Sequence, residues 1–184
     1  MNLDPEILEV TYTNEGDDLK SLSEKQAVFL VFLRHFGCTF CREAMSDIAE
    51  IRQAICDKGL KPIMVHMATE KIANEYFEQY KLEGITQISD PDLSLYEYFG
   101  LFKGKFGQLY GLKVWLRGLK VGLIDGHGGP VRNKELGAVT QMPGVFILKN
   151  GELKAKFMHK SAVDRPDYLG LIDSYLQTVA KEQG

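Results

Sequence analysis

The sequence predicts an α/β fold: a central mixed sheet flanked by helices and finished by an antiparallel hairpin towards the C-terminal end. Three observations predict it. The run Ala27-Val28-Phe29-Leu30-Val31-Phe32-Leu33 is apolar without alternation, as a strand covered on both faces is. Strand-like and helix-like stretches then alternate as β-α-β-α, which implies parallel strands joined by crossovers. Far downstream, two apolar runs flank Asn150-Gly151, the strongest short-range hairpin signal.

In chain order, residues 1 to 24 carry scattered apolar positions, Leu3, Ile7, Leu8, Val10 and Tyr12, before the polar stretch Asn14 to Asp18. Asp18 followed by Leu19 to Leu22 reads as a turn and a short docking segment. The strand from Ala27 is the expected centre of the sheet. After it, Phe40, Cys41, Ala44, Met45, Ile48, Ile51 and Ile55 fall at helical spacing, with Gly59 as the stop. Pro62 to Met67 is a second strand, and Thr69 caps a helix with the stripe Ile72, Ala73, Tyr76, Phe77 and Tyr80. Ile85 to Ile88 is a short strand, and Asp90-Pro91 turns into a short helix through Leu95 and Phe99.

Residues 100 to 141 differ in character. Glycine recurs from Gly100 to Gly137, and Leu109, Leu112, Leu116 and Leu119 mark one amphipathic helix with Lys113, Arg117 and Lys120 on another face. We expect an irregular Gly-rich insertion there, with the basic face in solvent and a flexible loop around His127. The chain then runs through Met142-Pro143 into the hairpin. Pro166 opens a last helix with Leu169, Ile172, Leu176 and Val179 on one side.

A chain of 184 residues, 45% hydrophobic, is long enough for one well-filled core and short for two, so one domain over residues 1–184 is expected. The net charge of −3 offers no general attraction to nucleic acid or to an anionic membrane. No run approaches a membrane span, and Met1 to Glu6 lacks the basic region of a signal peptide. A cytoplasmic address is the expectation. Three cysteines, two of them in C-x-x-C, suit a reducing compartment better than a secreted disulfide framework.

The chemistry is expected at Phe36-Gly37-Cys38-Thr39-Phe40-Cys41-Arg42-Glu43, where the apolar strand ends and the helix begins. A C-x-x-C at such a junction reads as a redox motif. Cys38 would sit at the helix N-terminus, where unpaired N–H groups and the positive end of the macrodipole favour an anionic sulfur, so it is the candidate nucleophile. Cys41 lies one turn deeper and is the candidate resolving thiol. Arg42 is a candidate electrostatic support, and Arg34 and His35 shape the mouth of the motif, His35 being a candidate proton shuttle. Metal ligation is the rival reading, through His35, Cys38, Cys41 and Cys56. Zinc sites bring a second paired hook, which is missing from the sequence, so no metal or other cofactor is expected. Cys56 falls beside the apolar stripe and reads as a small core residue.

Leu19 to Leu22 before the strand, F-G-C-T-F-C-R-E at its end and M-P-G-V-F-I-L-K-N-G-E downstream resemble the thioredoxin superfamily. More narrowly, the chain is similar to the peroxiredoxin-like branch of the alkyl hydroperoxide reductase/thiol-specific antioxidant (AhpC/TSA) family, over roughly residues 16 to 180. The resemblance implies a thioredoxin-like fold and a cis Met142–Pro143 bond packed beside the cysteines. It further implies that Thr39, Phe40, Met142 and Pro143 position the substrate. One departure stands out: ordinary members carry Thr or Ser three positions before the reactive cysteine and Pro four before that, and here these positions are His35 and Val31. The expected function is thiol-disulfide redox catalysis with an antioxidant role. Reduction of a hydroperoxide or endoperoxide is the alternative, and a redox-gated protein-binding module a further one. The partners would be a disulfide or peroxide substrate and an external thiol reductant, thioredoxin- or glutathione-like, with no nucleic acid and no membrane.

Overall fold

A computed structural model describes residues 3–104, 114, 117 and 134–182. Its centre is a five-stranded sheet in the order β3-β2-β1-β4-β5. The strands are β1 (Ala27–Phe32), β2 (Leu60–His66), β3 (Thr86–Ser89), β4 (Gly144–Lys149) and β5 (Glu152–Met158). β1, β2 and β3 run parallel, whereas β4 lies antiparallel to β1 and to β5. The sheet is therefore mixed, as expected. β1 is central and buried along its whole length, which is why its sequence shows no alternation.

Successive β1 side chains feed two separate apolar layers. Phe29, Val31 and Leu33 pack with Met45, Ile48 and Ile55 of α3 (Thr39–Asp57), Ala73 and Phe77 of α4 (Glu70–Gln79), and Ile172 of α6 (Tyr168–Glu182). Val28, Leu30 and Phe32 pack on the other face with Leu8 of α1 (Pro5–Glu9), Leu19 and Leu22 of α2 (Leu19–Lys25), and Leu95 and Tyr96 of α5 (Ser94–Tyr98).

Capping accounts for most helix starts. Asp18 accepts from the Ser21 N–H and turns the expected docking segment into a full helix, α2. Asp4 caps α1, with Pro5 in its first turn. Thr69 caps α4 as expected. Asp90 accepts from the Leu95 and Tyr96 N–H groups at 2.9 and 3.1 Å, fixing α5 after a left-handed Leu93. The hairpin closes at Asn150 and Gly151, whose φ angles of 54° and 69° suit a tight primed turn.

Two expectations are corrected. No peptide bond among the described residues is cis, so Met142–Pro143 is trans. The carbonyls just before it, of Val139 and Gln141, are drawn to the Arg34 guanidinium, which occupies the flank of Cys38. From there the chain enters β4 extended, and the ordinary preference of a prolyl bond for trans is kept. Cys56 is exposed rather than in the core, on the outer side of the last turn of α3. The Gly-rich insertion, with Leu109, Leu112, Lys113, Leu116, Leu119, Lys120 and His127, lies outside the described residues apart from 100–104, 114, 117 and 134–141.

Candidate active site

β1 ends at Phe32, and the chain turns through Leu33 to Gly37 before α3 begins. The turn is fixed by its backbone: the Phe36 N–H donates to the Leu136 carbonyl at 3.0 Å and the Cys38 N–H to the His35 carbonyl at 2.9 Å. Phe36 anchors it from beneath, fully buried and stacked on Tyr76 with ring centroids 4.8 Å apart. Cys38 is thereby set as the N-cap of a 19-residue helix, with no side-chain cap at that end. It therefore stands at the helix start, where unpaired N–H groups and the helix dipole are concentrated.

The decisive neighbour is Arg34. Its guanidinium is buried, 6% exposed, and Nη1 donates to the Cys38 sulfur at 3.0 Å. Nε donates to the Gln141 carbonyl at 3.1 Å and Nη2 to the Val139 carbonyl at 2.6 Å, so the planar fork is clamped with one arm on the thiol. Sequence reasoning assigned Arg34 only a general role at the mouth of the motif, because its backbone partners lie more than a hundred residues downstream. Arg42, the candidate singled out for electrostatic support, instead reaches the Gly37 carbonyl at 3.5 Å, bonds Tyr80 and acts on Cys41 through its charge.

Cys38 and Cys41 are free thiols, and both are buried. The Cys41 sulfur points back to the Arg34 carbonyl at 3.8 Å. Burial pushes the Cys41 thiol far above the ordinary thiol range; the charge of Cys38 adds to the rise, while Arg34 and Arg42 oppose it. The two sulfurs are thus in unequal settings: one beside a clamped cation at a helix start, the other a neutral thiol in the core.

The residues predicted to surround the pair do come together. Thr39 is buried in the first turn, and half-buried Phe40 packs with Met142, Ala162 and Val114. Pro143 lines a small cavity that also touches Phe40 and Cys41. His35 is buried, and its ring is kept neutral at physiological pH: burial first, then the charges of Arg34 and Arg42, lower its pKa to about 4. Its carbonyl, rather than its ring, holds the Cys38 N–H.

Arg117 corrects the expectation of a solvated basic face. Nη2 donates to both oxygens of Glu43 at 2.9 and 2.8 Å, Nη1 donates to the Val163 carbonyl, and the guanidinium lies 5.3 Å from the Phe40 ring centroid. Helical spacing alone offered no sign that Glu43, two residues past Cys41, would be its partner. Cys56 is about four helical turns beyond Cys41, too far to complete a ligand set with the motif.

Comparison with known proteins gives the fold and the family. A thioredoxin-like protein, AAED1, of the chloroplast of Arabidopsis thaliana is 27% identical over 86 residues, 47% of this chain and 34% of that protein. The match thus spans about a third of the curated relative's length. Among solved structures, peroxiredoxin Q of Xanthomonas campestris superposes with a TM-score of 0.64 at 16% identity, covering 98% of this chain and 96% of that one. A cysteine-to-serine mutant of peroxiredoxin 6 of Arenicola marina superposes with a TM-score of 0.63 at 15% identity, covering 92% and 70%. These likenesses establish the thioredoxin-like fold of peroxiredoxins. The family model of the AhpC/TSA family matches residues 8–155, which takes in the whole sheet up to β5 and both motif cysteines, and the chain belongs to that family.

Proposed function

We propose that the chain is a thiol-dependent oxidoreductase that reduces a peroxide bond, with Cys38 as the attacking sulfur and Cys41 as the resolving one. The observation that carries this reading is the Arg34 guanidinium clamped 3.0 Å from the Cys38 sulfur at the start of α3. A fixed cation and a helix N-terminus favour a sulfur anion. They equally favour the oxygen anion that leaves when an O–O bond breaks beside that sulfur.

In the first step the Cys38 thiolate attacks the terminal oxygen of a hydroperoxide. An S–O bond forms, the O–O bond breaks, and the alkoxide leaves and takes a proton from solvent to become the alcohol. Cys38 is oxidised to a sulfenic acid. In the second step the Cys41 sulfur attacks that of Cys38: the S–S bond forms, the S–O bond breaks, and hydroxide departs as water with the proton Cys41 has given up. An external thiol reductant, thioredoxin- or glutathione-like in chemistry, restores both thiols by exchange, and the cycle needs no prosthetic group. Thr39, Phe40, Met142 and Pro143 would position the substrate. Consuming peroxide at the expense of cellular thiols is an antioxidant role, and a reducing compartment such as the cytoplasm suits it.

Disulfide exchange by the same pair is the second reading, supported by the C-x-x-C spacing and by His35 standing where ordinary family members carry a hydroxyl. Replacing each cysteine tests both readings. Cys38→Ser should abolish reduction of hydroperoxide and of disulfide alike, and Cys41→Ser should leave the first covalent product standing on Cys38. Activity surviving in Cys38→Ser, or a product found on Cys41 instead, would overturn the assignment.

A further inference from the structure

Resolution requires Cys41 to lose a proton, and its setting opposes that loss: the thiol is buried, 2% exposed, and held well above the ordinary thiol range. A base within the protein is therefore needed on its side of the sheet. Cys41 lines a small cavity of about 30 Å³ together with Glu43, Asp47, His159, Asp164 and Tyr168. That volume holds about one or two water molecules, enough to carry a proton between groups on opposite walls.

Most of the titratable groups there are committed elsewhere. Glu43 gives both carboxylate oxygens to Arg117. Asp47 gives both of its oxygens to Arg165, at 2.9 and 2.5 Å. Asp164 accepts from the Lys160 and Ser161 N–H groups at 2.7 and 2.9 Å, both through Oδ2, as the cap of its turn. Tyr168 is held as the neutral phenol by burial.

His159 is different. It follows β5, one residue beyond Met158, which pairs with Gly144, so it stands level with Pro143 at the end of the sheet where the cysteines lie. Alternation puts it on the same face as Ala155 and Phe157, the face that carries Cys41, and its ring packs edge-on against Phe157 at 5.0 Å. The backbone of Pro143 and of Asp164 pulls the ring towards its charged form. Nδ1 is buried with no hydrogen-bond partner among the described residues. A buried ring nitrogen left with a lone pair is a proton acceptor in waiting.

We infer that His159 is the residue that takes the proton from Cys41, across the small cavity, when Cys41 attacks the sulfur on Cys38. It is a positioning and proton-accepting residue rather than a group in contact with substrate, and the inference rests on the assignment of Cys38 as attacker and Cys41 as resolver. The ring is neutral over the physiological range, since burial lowers its pKa to about 4 against the opposing pull of Asp164, and negative charge growing on Cys41 raises its basicity as the proton moves. The charges facing it are Asp164 on its own loop and Arg34 at the end of β1.

The test isolates the second chemical step from any question about peroxide. The reduced full chain, with Cys56 replaced by Ser, is mixed with an aromatic disulfide whose thiol is coloured on release. A first equivalent leaves when Cys38 forms the mixed disulfide, and a second when Cys41 displaces it: one S–S bond breaks, the Cys38–Cys41 bond forms, and the Cys41 proton leaves. In the parent protein the second release should be nearly independent of pH from about pH 5 to about pH 9, because the base stays neutral throughout. In His159→Gln the first release should be unchanged. The second should be at least about tenfold slower near neutrality and rise about tenfold per pH unit, as hydroxide takes over the task.

A second release in His159→Gln that keeps the parent's rate, or that is slower by the same factor at every pH, would overturn the inference. The uniform slowing would mark a structural role only. Free imidazole supplied to His159→Gly provides an independent readout: restored second release supports the inference, and none despite an intact first release counts against it. Loss of the first release in the parent protein would instead break the assignment of Cys38, a result distinguishable from all of these.

Discussion

Replacing Arg34 by Gln probes the contact on which the proposed chemistry depends. The guanidinium makes three hydrogen bonds while almost fully buried: to the Cys38 sulfur, the Gln141 carbonyl and the Val139 carbonyl. A hydrogen bond to a charged group contributes about 1.5–3 kcal/mol, and the guanidinium serves first the thiolate and then the oxygen anion that leaves as the thiolate reacts. Losing it should slow oxidation of Cys38 by about 10- to 150-fold. The two carbonyls left without their donor should cost about 1–3 kcal/mol of stability each. Arg34→Lys keeps the charge but loses the fork that spans three acceptors, so it should fall between the two proteins in rate. The assay is the second-order rate of thiol loss at Cys38 under excess hydroperoxide, followed by mass, beside a urea melt of each variant. A folded Arg34→Gln protein that oxidises within about threefold of the parent would refute the reasoning.

Other consequences follow from packing and protonation. Tyr96 is fully buried and its hydroxyl lies 2.6 Å from the Leu33 carbonyl and 3.0 Å from that of Val65, tying α5 to the end of β1; Tyr96→Phe should cost about 1–3 kcal/mol in a urea melt. A Cβ on Gly144 would stand 2.7 Å from Leu101 Cδ2 and 2.9 Å from Phe146, so Gly144→Ala should lose about 1–3 kcal/mol by overpacking, read as a lowered Tm. His66 is fully buried, and burial lowers its pKa from 6.5 to about 4, against the bond to Gln87 that favours the charged ring. The unfolded chain therefore binds a proton at this residue before the folded one does. Stability is full above the unfolded value and falls as pH drops through that window, by about 3 kcal/mol from this residue at most, and His66→Gln should flatten the slope.

The features legible in the sequence were those fixed by neighbours along the chain. An unbroken apolar β1, the C-x-x-C where strand gives way to helix, the Thr69 cap and the Asn150-Gly151 turn each carry their physical cause within a few residues. What the sequence hid depends on distant partners. Arg34 becomes the thiol's companion only because Val139 and Gln141 hold it in place, and Arg117 leaves its expected solvated face because Glu43 and Phe40 receive it. The trans Met142–Pro143 bond keeps the ordinary preference of a prolyl bond, against what the family resemblance implied. His159 was invisible for a like reason: the sheet register that sets it level with Pro143 could not be read from an alternating, half-exposed strand. Residues 5–9 lacked the length for a periodic signal, yet a cap at Asp4 and one buried residue, Leu8, suffice to seat α1.

The most direct test of the central claim is to give the fully reduced chain one equivalent of hydroperoxide, or separately one of a model disulfide, and to map each cysteine by mass over time. Exposure alone would favour Cys56, which is open to solvent, over Cys38, which is 6% exposed. The account predicts the reverse: hydroperoxide oxidises Cys38 first, and Cys38 then closes onto Cys41 while Cys56 stays reduced. Oxidant found first on Cys56 or Cys41, or a Cys38 that reacts with the disulfide and ignores hydroperoxide, would contradict it.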